Sequence, residues 1–362
     1  MQAFQTPDTN REQSRAAIAR DLAVLYSELA SSKPQETFSL VKMLKAMSLR
    51  EFHSGTSHEA NVCDAAARSQ GGAHDPQRAV IPWGALATRD LNTSTSSAGG
   101  NLVRANTVGA LDVLRPYSVT ARMGLSSSDN LLQNLLTPNI TTSVTGQWLA
   151  TETSSITNTD PVIGVISSRP KTAGALMKAS RQFLLQTGQA ETVIRQQLLA
   201  AMGALLDQAV LQGTGASGQP TGLNLVSGVG AQSGAVTWAS MCDILETLGS
   251  AKAEDDNIQL LTTPSVRRLL QAREIVATSG RMIWDDHQVA GMPARVTTDC
   301  PASTIFAGDW SNCQVAFWGQ GLRIDVDPYT SFVNGVVQVR VLMFVDVNFP
   351  KPAAFVRHTF VT

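Results

Sequence analysis

From Val336 the chain runs VVQVRVLMFVDVNF. Val337, Val339, Val341, Met343, Val345, Val347 and Phe349 alternate with Gln338, Arg340, Leu342, Phe344, Asp346 and Asn348. Successive side chains of a strand point to opposite faces, so this alternation predicts one strand with one apolar face. It is unbroken from Val337 to Phe349, well past the common length of about five or six residues. A strand that long needs an equally long neighbour and a cover for its apolar face. Any fold for this chain has to supply both.

Ala190 to Gln212 reads AETVIRQQLLAAMGALLDQAVLQ, with Ile194, Leu198, Met202, Leu205 and Ala209 recurring at helical spacing. At 1.5 Å per residue this helix would be roughly 34 Å long, a spine rather than an ordinary short helix. Beside the long strand it predicts an elongated, mechanically continuous element. Directly after it, Gly213, Gly215 and Gly218 spell G-x-G-x-x-G. In a dinucleotide-binding loop that pattern leaves a strand and opens a helix, so that helix N–H groups meet the pyrophosphate. Here the order is inverted: a helix precedes the glycines and Pro220 follows them. They read as a helix stop and tight turns. The phosphate-loop pattern G-x-x-x-x-G-K-[ST] is absent.

The 362 residues allow two or three domains of about 100–200 residues each, and 43% hydrophobic content suffices for a core. A formal net charge of -1 excludes a strongly basic nucleic-acid-coating protein, because phosphate binding needs clustered positive charge. It leaves room for a protein that surrounds nucleic acid without gripping it. Cys63, Cys242, Cys300 and Cys313 form no C-x-x-C and read as isolated thiols of a reducing cytosol. The start MQAFQTPDTNREQSR lacks the basic-then-apolar pattern of a signal peptide. No apolar run reaches the roughly 18 residues of a membrane span.

Residues 1–70 are expected to be helical. Arg15–Leu29 puts Ile18, Leu22, Leu25 and Leu29 on one face. PQETFSLVKMLKAMSLREF puts Leu40, Met43, Leu44 and Met47 together, and HEANVCDAAARSQ reads as a third helix. Such narrow stripes need a partner, for example another copy of the chain. Residues 71–100 are rich in Gly, Ser, Thr and Pro, and NTSTSSAGG is the most linker-like stretch, so a boundary is expected between Thr88 and Gly100. Beyond it, Val144–Thr153 and Ile163–Ala173 predict a long hairpin joined by SSITNTDPV. Trp148 and Leu149 apart, it has few large apolar residues, so it should be mobile when free and ordered only against a neighbour. Between 236 and 325, helices at Trp238–Leu248 and from Pro264 alternate with strands at NIQLLTT, Ala294–Thr297, Ser303–Gly308, Gln314–Trp318 and Leu322–Val326. They predict a compact α/β module. Trp310, Phe317 and Trp318 are expected in a core or interface.

Chemistry is hard to find. His53, His58, His74, His287 and His358 form no H-E-x-x-H. Asp285-Asp286-His287 is the most catalytic-looking cluster, but no third orienting group accompanies it, and it reads as a polar loop. Glu254-Asp255-Asp256 lacks the spaced oxygen ligands of an EF-hand and reads as a solvated turn. There is no G-x-S-x-G nucleophile elbow. No catalytic, cofactor-binding or metal-binding residue is expected, and no enzyme.

Five segments, in order, carry a resemblance. They are IPWGALATRDLNTSTSSAGGNLV (Ile81–Val103), TGQWLATETSSITNTDPVIGVISSRPKTAGALMKASRQFLL (Thr145–Leu185), LLDQAVLQGTGASGQPTGLN (Leu205–Asn224), IFAGDWS (Ile305–Ser311) and VDPYTSFVNGVVQVRVLMFVDV (Val326–Val347). The chain resembles the major capsid proteins of tailed bacteriophages with the Hong Kong 97-type fold, from about Phe38 onward. The Gly-Gln-Pro-x-Gly turn after the helix is the most specific part. The resemblance implies an α+β fold, thin and L-shaped, with an N-terminal arm, an extended hairpin crossing a neighbour, a peripheral domain with a spine helix and long strands, and an α/β axial domain. On that plan residues 1–98 are a helical scaffold-like region plus linker, and 99–140 the arm and start of the peripheral domain. Residues 141–174 are the extended loop, 175–224 the peripheral domain with its spine, 225–325 the axial domain, and 326–362 the peripheral return strands.

The function so implied is self-assembly through pentamers and hexamers into an icosahedral virion shell around double-stranded DNA, without sequence-specific binding, in the bacterial host cytoplasm. Implied partners are a portal protein, a prohead protease and a cement protein; no membrane and no cofactor is implied. Near-zero net charge suits a shell that encloses DNA without sticking to it. Residues 1–98 would steer assembly and be cut near SSAGG. Some relatives weld subunits by a lysine–asparagine isopeptide bond assisted by a buried glutamate. Here Thr145–Pro170 has no lysine, the asparagine position falls at Gly335 beside Asn334, and the glutamate position at Leu342, so no covalent cross-link is expected. An encapsulin-like or gene-transfer-agent shell is the alternative reading. A cytosolic nucleotide-binding enzyme using Gly213–Gly218 is the remote one.

Overall fold

The alternating run becomes a single strand, Val336–Asn348, whose odd-numbered side chains are buried. The computed structural model describes residues 38–49, 51–52, 57–69, 77–86, 109–142, 146, 148, 160–180, 187–253, 257–276, 280–330 and 336–360. In chain order the strands are β1 (Arg78–Pro82), β2 (Ser126–Leu131), β3 (Leu135–Thr142), β4 (Val162–Ser168), β5 (Lys171–Ser180), β6 (Gly230–Ser233) and β7 (Ile258–Thr262). There follow β8 (Trp284–Asp285), β9 (Gln288–Val289), β10 (Met292–Val296), β11 (Thr304–Asp309), β12 (Gln314–Asp327), β13 (Val336–Asn348) and β14 (Phe355–Thr359).

The first sheet runs β1-β12-β13-β5, with β2 also on β12. β13 has long neighbours on both sides, antiparallel β12 and β5. β12 is one strand of 14 residues, bulged between Trp318 and Arg323. Its first half pairs with β2 and its second half with β1. Gly321 permits the second pairing: a Cβ there would lie 1.7 Å from the Ile81 carbonyl oxygen.

The cover for the apolar face is the helix Thr187–Gln212, 26 residues and thus about 39 Å long. It buries Ile194, Leu198, Met202, Leu206 and Val210. A second helix, Leu40–Leu49, lays Leu40, Met43, Leu44 and Met47 against the long helix and β12. Trp83 meets Phe317 edge-on at 6.0 Å. These contacts correct two expectations. The partner of the Leu40–Met47 stripe is this chain's own core, where each fully buried side chain contributes about 1.5–3 kcal/mol. Residues 1–98 are also not one separable region, because the compact unit begins at Leu40 and runs to Thr362. The expected helix Arg15–Leu29, the linker NTSTSSAGG, His53, His74 and Glu254–Asp256 lie outside the described residues.

The second sheet runs β6-β14-β11-β7-β10-β9-β8. Two helices pack on it. Trp238–Ser250 starts in a reciprocal capping box between Thr237 and Ser240, and Pro264–Ala272 starts with Pro264 behind the Thr263 cap. Met241, Ile244, Leu248, Leu260, Val266, Leu270 and Ile305 form the core between them. This is the expected α/β module with corrected edges. Gln314–Trp318 and Leu322–Val326 are one strand of the first sheet, because β13 offers a ladder along its whole length. Conversely, Phe355–Thr359 leaves the return strands and inserts between β6 and β11. Phe355 anchors that turn-back, edge-on to Trp310 at 5.6 Å and to Phe349 at 5.5 Å.

Candidate assembly surfaces

The hairpin exists, shifted from its expected register. Its arms are β3 and β4, antiparallel and, among the described residues, paired only with each other. Of the expected outgoing arm Val144–Thr153, all but Gly146 and Trp148 lie outside the described residues. The expected return arm Ile163–Ala173 divides at Arg169-Pro170: β4 stays in the hairpin and β5 enters the first sheet. Pro170 has no N–H to give a ladder, so the break falls there. Leu136, Ile163 and Val165 share one hairpin face and are 63%, 64% and 63% exposed. A lone two-stranded ribbon is marginal in water, and a contiguous exposed apolar patch marks an interaction surface.

The hairpin's root is fixed by a group that alternation puts on the outside. Asp346, an even-numbered residue of β13, is buried. Its carboxylate accepts from Arg169 N (3.0 Å), Lys171 Nζ (2.9 Å) and Val347 N (3.0 Å). The Asn348 side-chain amide donates to the Ser168 hydroxyl beside it. A second buried carboxylate, Asp207 on the long helix, accepts from Ser118 Oγ (2.6 Å), Thr120 Oγ1 (2.5 Å), Val119 N (2.9 Å) and Thr120 N (3.0 Å). It staples the chain before β2 to the helix. Sequence reasoning named neither role. The available signal was an acid inside an apolar period, since buried carboxylates need several donors.

Among the described residues, nothing covers the face of the first sheet away from the long helix around Leu176. Leu176 there is 60% exposed, and Arg78, Lys178 and Arg340 are exposed beside it. Leu342, the expected glutamate position of a cross-link, is on this face opposite Gly174 and Arg323. Asn334 and Gly335 lie outside the described residues.

The glycine loop is a helix stop. The Gly215 N–H donates to Pro220 O and the Gly222 N–H to Gly213 O, while the Leu223 and Asn224 N–H groups cap Val210 O and Leu211 O. A Cβ on Gly213 would stand 2.3 Å from Pro220 O. The loop meets a helix C-terminus, whose partial charge is negative, the wrong sign for phosphate. The cavity beneath it is about 180 Å³, lined by Lys171, Gly174, Leu205, Ala209, Gly213 and Pro220 among others. Small-molecule sites run about 300–1,000 Å³, and Lys171 is already held by Asp346.

Asp285-Asp286-His287 is the tight turn between β8 and β9, with positive φ at Asp286 (40°) and His287 (60°). Burial pushes the Cys63 and Cys300 thiols up to about 12, and Cys313 higher still; such thiols are inert. Among the described residues no three His, Cys, Asp or Glu gather as metal ligands, and no helix is long and apolar enough to cross a membrane.

What the chain displays is surface: an apolar ribbon, a braced root and an open sheet face. A sequence profile of the phage capsid family matches residues 111–360. The chain belongs to the phage capsid family. Along 333 residues this capsid-family chain is 25% identical to the major capsid protein of Halomonas phage phiHAP-1, a match covering 90% of it and 54% of the relative. The chain thus spans about half the length of that curated relative. Solved structures share its fold. The capsid of an empty GTA particle superimposes with a TM-score of 0.54 at 20% identity, covering 75% of this chain and 100% of that one. A Gordonia phage Cozz chain gives 0.53 at 14%, covering 68% and 87%. A Mycobacterium phage Ogopogo chain gives 0.51 at 14%, covering 68% and 92%. The α+β, Hong Kong 97-type architecture read from the sequence agrees with these neighbours.

Proposed function

We propose that the protein is the major shell subunit of a tailed phage or prophage. Copies assemble through pentamers and hexamers into an icosahedral virion shell around double-stranded DNA. The observation that carries this reading is the β3–β4 ribbon, whose apolar face is exposed and which pairs with no further strand among the described residues. In a capsid-family subunit a neighbour's surface supplies the cover. The shell of a gene-transfer agent is the second reading, favoured by the GTA capsid whose whole chain matches; it changes the cargo and leaves the subunit's task the same.

The subunits hold together by buried area and hairpin overlap, without self-made covalent cross-links. Portal protein, prohead protease and cement protein are the expected partners. Residues 1–98 are the expected assembly-steering segment, cut near SSAGG, although the part from Leu40 to Pro82 packs on the first sheet and pairs with it. That cut alone would leave this part bound. Negative-stain electron microscopy and size-exclusion chromatography of the protein expressed alone provide the test. Closed shells, tubes or discrete pentamers and hexamers are expected; a stable monomer with or without residues 1–39 would overturn the reading.

A further inference from the structure

Between the first and second sheets the chain crosses from β11 to β12 and returns from β13 to β14. The outward crossing is a tight turn around Trp310, which is fully buried. Buried Asp309 holds that turn: its carboxylate accepts from Ser311 N (3.0 Å), Ser311 Oγ (2.7 Å) and Asn312 Nδ2 (2.5 Å). The Cys313 N–H donates to Trp310 O, and Cys313 O accepts from Ser126 N of β2. The turn is thus braced internally and built onto the first sheet.

Trp310 ties this turn to the rest of the joint. Its indole N–H donates to Gln259 O of β7, in the second sheet, at 3.0 Å. Its ring meets Phe355 of the return crossing edge-on, and Phe355 meets Phe349 the same way. The two crossings also touch at the backbone: a Cβ on Gly308 would stand 2.5 Å from Ala354 O. Gln259 adds a bond across the joint, its side-chain amide donating to Met123 O at 3.2 Å. Farther out, Gln212 donates to Asp299 O at 2.6 Å and Arg357 donates to Asn224 O. A hydrogen bond and edge-to-face ring contacts have preferred directions, so together they fix an orientation, where a plain apolar contact would let the sheets slide.

We infer that Trp310 is the positioning residue that sets the angle between the first and second sheets, and through it the curvature of the particle. The second half of this inference rests on the shell-subunit reading above. A repeated unit closes into a shell only if its contact surfaces keep a fixed mutual rotation. The two sheets carry different surfaces: the hairpin root and Leu176 belong to the first, the Asp285–His287 turn to the second. An angle that drifts at Trp310 therefore becomes a drift in the rotation from one copy to the next. The aromatic clasp outweighs the outlying polar bonds because it joins both crossings at once.

Spin labels on the full chain measure the angle directly. Cys242, on the helix Trp238–Ser250 of the second sheet, is exposed, while Cys63, Cys300 and Cys313 are buried, so Cys242 takes one label. Lys178→Cys on β5 takes the other. The label-to-label distance should be narrowly distributed when the joint is intact. Trp310→Phe keeps a ring against Phe355 but loses the bond to Gln259 O, and should broaden the distribution. Trp310→Leu loses both and should broaden it further, and its particles should be of mixed diameter by negative-stain electron microscopy. Leu270→Ala, in the core away from the joint, should lower the melting temperature yet leave distance and diameter as in the wild type. A broad distance with the joint intact, an unchanged distance in Trp310→Leu, or equal broadening in Leu270→Ala overturns the inference. Broadened distances with particles of one diameter overturn its second half. If Trp310→Leu does not fold, Phe349→Leu at the outer end of the clasp replaces it, judged by the same outcomes. A narrow distance in wild-type protein that forms no particle refutes the shell reading and leaves the joint standing.

Discussion

Strands β4 and β5 are separated only by Arg169 and Pro170, yet they obey different rules. β5 pairs along its length with β13 and turns Ala173, Ala175, Met177 and Ala179 towards the core, three of them small side chains that let the long helix approach. β4 is richer in large apolar residues, and exposes them. Hydrophobicity alone would bury β4 first. Burial follows geometry instead: β5 lies beside a strand and under a helix, while among the described residues β4 has β3 as its one ladder partner and meets β13 at its root. In one subunit, then, apolar content measures what must be covered somewhere, which includes another molecule's surface.

That contrast can be broken. Leu206→Ala, in the long helix over the sheet, should cost the isolated subunit about 2–5 kcal/mol, read by urea unfolding, because it empties a fully buried site. Asp346→Ala should cost about 1–3 kcal/mol, discounted because Lys171 is partly exposed. Hydrogen exchange should rise in β4 far more than in β6 or β14; a uniform rise would mean that Asp346 braces the sheet rather than the hairpin. A pH effect should come next. His358 is buried and its Nδ1 has no hydrogen-bond partner among the described residues. Burial, only partly opposed by Asp243, lowers its pKa from 6.5. The folded state holds the imidazole neutral, so this contribution is complete above about pH 6.5 and is lost as pH falls towards the folded value. Thermal melting between pH 8 and pH 5 should show the decline, and His358→Gln should shrink it. Smallest of all, Val165→Ala should move the lone subunit by no more than about 0.5 kcal/mol, while raising the concentration at which particles appear. A Val165→Ala subunit as unstable as Leu206→Ala would show that β4 is covered by its own chain, and the comparison would collapse.

The elements legible in the sequence were those governed by local rules. The alternation at Val337–Phe349, the stripe on the long helix, and the Thr263-Pro264 start each declare their structure within a few turns of chain. The glycines after Gln212 could be told from a nucleotide loop because a helix C-terminus and an N-terminus attract opposite charges. Elements decided by distant partners stayed hidden. Arg78–Pro82 looks like part of a Gly- and Pro-rich linker until the second half of β12 offers it a ladder. Phe355–Thr359 gives no sign that its sheet is the other one. Pro170 was the readable warning that one run was two strands. The assembly surfaces were half legible: the hairpin's poverty in lysine is in the sequence, but Arg78 and Arg340 come together beside Leu176 only once four strands are set in register.

The placement of β14 has a consequence in time. It lies inside the second sheet, between β6 and β11, yet it is made after every other strand of that sheet. While a ribosome works through β12 and β13, β11 waits with one edge unpaired and β6 has nowhere to dock. A chain cut short before residue 359 carries that raw edge permanently. The second sheet is therefore finished out of order: the strand that joins β6 to β11 is the last of its strands to be made, and without it both lack a ladder partner on that side.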